Sequence, residues 1–209
     1  MSHYIEAIKR LFHLKELLIG LLFLAIPFVN IVTGIFASGY IVESARMALH
    51  KRKGLPKWKH LGELFIQGIM ISIISLAYSL PVILLMIVSA MGFAYNTITM
   101  EGAGFVGTIL VLTGLLGILT AYVLPSATLS YCSKRKLKDA FSSEVFSKTA
   151  RWSYLVDWIF AMVYSFLLAM LAAFFIMWGW HTIIIPNIAI ALFVFISGIT
   201  NLSIIAERY

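Results

Sequence analysis

The chain has 209 residues, 61% hydrophobic and 12% charged, with a formal net charge of +7. Its mean hydropathy of +0.97 lies far beyond that of a globular domain, so a soluble fold is excluded and residues 1–209 are read as a single integral membrane domain. The positive charge fits loops beside anionic lipid head groups, where each Lys or Arg contributes about 1 kcal/mol; it does not indicate nucleic acid, because no recognition motif accompanies it.

All sixteen Lys and Arg fall into four clusters. Lys9, Arg10 and Lys15 form the first, and Arg46, Lys51, Arg52, Lys53, Lys57 and Lys59 the second. Lys134, Arg135, Lys136, Lys138, Lys148 and Arg151 form the third, and Arg208 stands alone. The stretches 16–45, 60–133 and 152–207 contain none. Positive residues stay on the cytoplasmic side of a membrane, so the polypeptide is expected to enter and leave the bilayer from that side each time.

In chain order, Tyr4, Ile5, Ile8, Leu11 and Phe12 recur at helical spacing with Lys9, Arg10 and His13 opposite. That pattern predicts an amphipathic helix lying in the interface. The stretch 16–45 begins like a secretory signal, but its apolar run continues past any cleavage site, so it is expected to be retained. It is too short for two full crossings, and Pro27 interrupts it. One arrangement is a short hairpin that enters through residues 17–25, turns at Pro27-Phe28 and returns from 29 to about 50. The other is one helix kinked at Pro27 with the N-terminus outside. The hairpin is preferred because it keeps every basic cluster on one side.

The stretch 60–133 has room for two crossings, at 64–91 and at 105–123 running on toward Tyr131, with an outer loop at 92–104 that carries only Glu101. Residues 154–177 and 187–206 give two more, joined by the uncharged outer loop 178–186. Short surface helices are expected around Leu61, Leu64 and Phe65, and around Phe141, Val145, Thr149 and Trp152. The predicted fold is all-α: a polytopic bundle of three helical hairpins, the first short and turning at Pro27, with interfacial amphipathic helices on the cytoplasmic side. It would lie in the cell membrane with both termini cytoplasmic.

The two ends of the chain echo one another. Ile26-Pro27 leads to Ser38-Gly39, and Ile185-Pro186 leads to Ser197-Gly198 at the same spacing. Either a duplication or chance in a low-complexity sequence would produce this.

Four runs then carry a resemblance: Gly39-Tyr40; Ser44-Ala45-Arg46; Gly54-Leu55-Pro56-Lys57-Trp58; and Glu63-Leu64-Phe65-Ile66-Gln67-Gly68. Together they resemble a mostly archaeal family of integral membrane proteins classed as a domain of unknown function. The family is distantly like the membrane domain of glycerophosphodiester phosphodiesterases, whose soluble catalytic domain this chain lacks. The turn here reads Pro56-Lys57-Trp58-Lys59, where many members carry acidic residues. The resemblance implies a membrane fold and an archaeal source, and it brings no activity.

Ionisable groups inside a membrane are costly and are functional suspects. Glu43 and Arg46 lie one turn apart, with His50 at the next turn. With Tyr40, the basic runs Lys51-Arg52-Lys53 and Lys134-Arg135-Lys136, and Asp157, they form a candidate pocket for a lipid head group or ion. The blander reading of Glu43 and Arg46 is a snorkelling pair at the interface. Asp157 would pair with Arg151 or with Arg46. His3, His13, His50, His60 and His181 show no compact metal spacing, Cys132 is alone, and no nucleophile elbow or phosphate loop is present. No catalytic residue, metal or cofactor is expected.

Gly104, Gly107, Gly114 and Gly117 suggest close helix packing. The five Trp fit interfacial belts, and Asn30, Asn187 and Asn201 fit bonds between helices.

Three functions remain. The preferred one is a non-enzymatic protein that binds membrane lipids, anionic ones above all, or a partner subunit or second copy. The others are a small transporter or channel with helices broken at Pro27, Pro81, Pro125 and Pro186, and a lipid-modifying enzyme at the cytoplasmic interface. A closed bundle whose only groove is greasy and lateral would favour the first. A polar cavity reaching the midplane, lined by broken helices, would favour transport, and three or more of Tyr40, Glu43, Arg46, His50 and Asp157 converging around a shielded water or metal would favour an enzyme.

Overall fold

The computed structural model describes residues 2–9, 14–25, 30–99, 103–179 and 184–209. They form eight α-helices and no strand: α1 (Ser2–Lys9), α2 (Leu14–Ala25), α3 (Asn30–Leu49), α4 (Leu61–Thr99), α5 (Ala103–Lys134), α6 (Ser143–Thr149), α7 (Trp152–Trp178) and α8 (Ile184–Ala206), with a short 3-10 helix at Leu137–Phe141 before α6. Four helical segments are long and apolar enough to cross a membrane: Leu61–Ala94, Gly104–Lys134, Trp152–Trp178 and Ile185–Ala206. This marks a multi-pass membrane protein. The turn expected at Pro27-Phe28 lies outside the described residues, as do Arg10, Leu11, Phe12 and His13.

Two expected boundaries move. The outer loop 92–104 is mostly helical, because α4 runs on to Thr99 and α5 begins at Ala103. At 39 residues, α4 is about 58 Å long at 1.5 Å per residue, more than the hydrocarbon core requires. Nor do Leu61, Leu64 and Phe65 form a separate surface helix; they are the first turns of α4 itself.

The centre of the bundle is α3 and α8. Half of the spanning part of α8 is buried. It packs on α1, α2, α3, α5 and α7, while α3 packs on α2, α4, α5 and α8. The outer helices α4, α5 and α7 expose rows of Leu, Ile, Met and Phe such as Leu76, Met86, Leu112, Leu119, Phe166 and Phe174. Lipid tails meet such faces at no cost, so these helices need only one contacting side.

The α3–α4 crossing depends on two glycines. A Cβ on Gly39 would lie 1.8 Å from the Leu64 carbonyl oxygen, and one on Gly68 would lie 1.9 Å from that of Ile35. The backbones therefore touch, as small residues permit in membranes. Gly198 of the terminal echo instead meets the side chain of Ile41. The glycines of α5 overturn their expectation. A Cβ on Gly104, Gly107, Gly114 or Gly117 would meet no atom within 4 Å, so they face outward and not into a helix contact.

Proline shapes α4 and α5 without breaking them. Pro81 and Pro125 sit inside continuous helices and deprive nearby carbonyls of their usual donors. At Pro125 a side chain meets the freed carbonyl of Ala121. The Tyr154 hydroxyl donates to Tyr122 O at 2.6 Å, and the Trp158 indole to Ala121 O at 3.0 Å. Trp158 thus ties two helices together, and the half-buried Trp58 indole donates to Glu16 O at 2.9 Å. Trp152 and Trp178 are exposed.

Members of the third and fourth basic clusters tie helix ends together. Arg135 after α5 reaches Glu43 near the end of α3. Arg208 after α8 reaches Asp157 near the start of α7, and Tyr4 of α1 donates to the same Asp157 at 2.7 Å.

A branched side chain at the α3–α4 crossing should cost about 1–3 kcal/mol through overpacking. Gly39→Val and Gly68→Val are expected to lower the thermal unfolding midpoint in detergent, while Gly107→Val leaves it nearly unchanged.

Candidate functional site

Glu43 is where three elements join. Its Oε2 lies 3.8 Å from the Arg46 guanidinium one turn on, 3.4 Å from that of Arg135 beyond α5, and 3.3 Å from Gln67 Nε2 of α4. A partly buried carboxylate is tolerated here because two cations and an amide donor face it. His50 closes the end of α3, donating from Nδ1 to Arg46 O at 2.8 Å. The helix then turns at Lys51, whose φ of 53° is the left-handed conformation usually given to glycine. Arg52 N–H bonds to Met47 O and Lys51 N–H to Ala48 O, both at 2.9 Å. Arg135 takes the same conformation after α5, with a φ of 53°.

Beside Glu43 lies a polar cleft of about 280 Å³ between the end of α3, the loop that follows and the start of α4. Arg52, Lys57, Lys59, His60, Glu63 and Gln67 line it. A smaller hollow of about 80 Å³, lined by Glu43, Arg46, Met47, His50 and Arg52, adjoins it. The loop is held from beneath. Leu55 and Pro56 are buried, and the Trp58 ring stacks on Tyr40 with centroids 4.2 Å apart at 10°. Such a pair contributes about 0.5–1.5 kcal/mol beyond its burial.

The candidate residues therefore divide. Glu43, Arg46, His50, Arg52 and Arg135 come together. Tyr40 sits in the aromatic stack with Trp58 and Phe195, its hydroxyl buried. Lys51, Lys53 and Lys136 are exposed. Lys134 pairs with Glu144 at 3.0 Å. Asp157, only 1% exposed, lies away from Glu43. It pairs with Arg208 at 3.5 Å and accepts from Tyr4, where Arg151 or Arg46 was expected. Asn201 does bond between helices, its Nδ2 donating to Ser165 Oγ at 2.7 Å. No three metal-ligating side chains cluster among the described residues.

Sequence reasoning missed Gln67. Its signal was a single amide two turns into an apolar helix. The C-terminal Tyr209 was missed as well. Its hydroxyl donates to Ser126 O at 3.0 Å and meets the Ser130 hydroxyl, while the Lys148 ammonium lies 3.7 Å over its ring.

A second feature is greasy and lateral. A groove of about 530 Å³ opens between α4, α5, α6 and α7, walled by Pro81, Leu116, Leu119, Val123 and Leu155. Arg151 and Trp152 also line it, and Trp152 is 77% exposed. The hydroxyls on its wall are occupied: Tyr122 donates to Thr149 O at 2.6 Å and Tyr78 to Ala140 O at 2.7 Å. The groove thus offers apolar surface without reactive polar groups.

Asp157→Ala would leave the half-buried Tyr4 hydroxyl and Arg208 without this acceptor, a loss of about 1–3 kcal/mol. It is expected to lower the unfolding midpoint more than Glu43→Ala, because Glu43 is better hydrated. Glu144 gives a pH dependence. Lys148 first, and then Lys134, hold its carboxyl down at about 2, against an ordinary 4.5. Its folded value is the lower one, so its contribution is complete above pH 4.5 and is lost as the pH falls toward 2. Glu144→Gln should remove that part of the acid sensitivity in an unfolding titration.

No curated protein and no solved structure matches the chain. A family model described as "Protein of unknown function (DUF4013)" matches residues 19–179, which include the Tyr40–Trp58 stack, the Glu43 junction and the walls of the groove. The chain belongs to the DUF4013 family.

Proposed function

We propose that this is a non-enzymatic integral membrane protein that holds an anionic lipid, with the acyl chain in the lateral groove and the head group beside Arg151. The observation that carries this reading is the groove itself: about 530 Å³ of mostly apolar wall that includes Arg151 and Trp152. An apolar trough with a cation and an indole on its wall matches an anionic lipid in charge and polarity. The satisfied hydroxyls favour binding over chemistry.

Three re-entrant pairs carry the chain, α2 with α3, α4 with α5 and α7 with α8, since each packs on its partner. Both termini and all the basic clusters face the cytoplasm, where anionic lipid is richest. In this arrangement α1 and α6 lie at the interface, although α1 also docks on protein. Its Tyr4 ring stacks on Phe160 at 4.1 Å. The mostly archaeal source and the distant likeness to the membrane domain of glycerophosphodiester phosphodiesterases belong to the same reading.

Two alternatives find less support. For transport, helices would be broken at Pro27, Pro81, Pro125 and Pro186; α4 and α5 run on through Pro81 and Pro125, Pro186 lies in the first turn of α8, and Pro27 lies outside the described residues. For a lipid-modifying enzyme, Glu43, Arg46 and His50 do share one hollow, but Asp157 and Tyr40 do not join them. Asp157 instead faces Arg208 and Tyr4, and the Tyr40 hydroxyl is buried in an aromatic stack.

Native mass spectrometry of the gently extracted protein tests the reading. The expected spectrum carries a retained anionic phospholipid, reduced several-fold by Leu119→Trp, which fills the groove, and by Arg151→Glu. Equal retention by both variants, or a bare protein, would contradict it. A stoichiometric protein adduct would favour the partner-subunit alternative.

A further inference from the structure

We propose that the polar cleft between α3 and α4 binds a phosphate ester whose alcohol part carries an O–H or N–H donor. The inference does not rest on the lateral groove, with which this cleft shares no wall residue.

Charge is the first argument. Arg52, Lys57 and Lys59 line the cleft, and none of the three is paired with a carboxylate among the described residues. Of the two acids on the wall, Glu43 is already met by Arg46, Arg135 and Gln67. Glu63 alone remains against three permanent cations, so the cleft holds excess positive charge. A phosphate oxygen is the group such cations recognise.

The second argument is Gln67. The residue is only 6% exposed, it lines the cleft, and its Oε1 has no hydrogen-bond partner. Its orientation is not free to reverse: Nε2 donates to the Glu43 carboxylate, and an exchanged amide would set oxygen against oxygen. A buried acceptor left unmet costs about 1–3 kcal/mol. An occupant that meets it must bring a donor, and a phosphate dianion has none. The alcohol part of the ester supplies it, as in glycerol, inositol, serine or ethanolamine phosphates. A choline ester has no such donor.

Rigidity is the third argument. Lys57 and Lys59 flank Trp58, which is fixed by its stack on Tyr40 and its bond to Glu16 O. The loop turns through Gly54 at φ 86° and His60 at φ 56°. The two ammonium groups therefore extend from an anchored segment and lose less freedom on binding. At about 280 Å³ the cleft suits a head group and not the acyl chains.

Either a phospholipid head group or a soluble ester fits this chemistry, and the two are separated by experiment. Thermal unfolding of the detergent-purified full chain would be followed with glycerol 3-phosphate, phosphocholine and short-chain phosphatidylglycerol. Glycerol phosphate or phosphatidylglycerol is expected to raise the midpoint and bind at least tenfold more tightly than phosphocholine. Stabilisation by phosphatidylglycerol alone assigns the site to lipid, and stabilisation by both assigns it to the phosphate ester itself. Lys57→Gln with Lys59→Gln, both exposed positions that leave the fold intact, should weaken binding at least tenfold. Gln67→Leu should abolish the preference over phosphocholine while phosphate affinity persists. The groove variant Leu119→Trp should leave this binding unchanged, so failure here and failure of the groove reading are distinguishable. No stabilisation by any ester, or unchanged binding in the double lysine variant, overturns the proposal.

Discussion

A carboxylate held in an apolar helical bundle must be met by a cation, because lipid offers no water to solvate it. Asp157, 1% exposed, imposes this condition in full, and Glu43, with its side chain 26% exposed, in part. Glu43 draws Arg46 and Arg135 to itself and so joins the end of α3 to the end of α5. Asp157 draws Arg208 and Tyr4, and so joins the start of α7 to the chain beyond α8 and to α1. All four attachments lie where helices enter or leave the apolar region. Gathering the cations at these carboxylates therefore gathers the helix ends as well, and the order of the bundle follows from it.

Along the rest of each helix, contact rather than charge decides the packing. Gly39 and Gly68 let α3 and α4 touch backbone to backbone. Across the bundle, α7 reaches α5 through Tyr154 and Trp158, which donate to carbonyls near Pro125. Aromatic struts hold helices further apart than glycines do. The lateral groove has other walls, among them Pro81 of α4 and Tyr122 of α5. The polar cleft exists because Trp58 pins a basic loop over the Glu43 junction.

Much of the fold was legible in the sequence for a simple reason: charge and hydropathy are properties of residues, and the membrane sorts residues by them. The long spans at 64–91, 105–123, 154–177 and 187–206 sit inside α4, α5, α7 and α8. What failed was direction. Gly104, Gly107, Gly114 and Gly117 have the spacing of a packing face, yet they look outward, because periodicity locates a stripe without saying what lies opposite. Trp58 and Trp158 fit belts by composition and also bond to backbone carbonyls, partners that no side-chain pattern reveals. Asp157 finds Tyr4, 153 positions away in the chain, a pairing that only the closed bundle creates. The candidate site was partly legible, since Glu43, Arg46 and His50 share a helix face. Gln67 was hidden because one amide in an apolar run looks like a tolerated polar residue until its neighbour Glu43 is seen.

The central claim is that the cationic clusters share one side of the membrane. Single cysteines at positions 9, 53 and 136, in a Cys132→Ser background, would be exposed to an impermeant maleimide in intact cells and in inverted vesicles. The account predicts labelling of all three from inverted vesicles and of none from intact cells. Labelling of any one of them from outside, with the others protected, would contradict it.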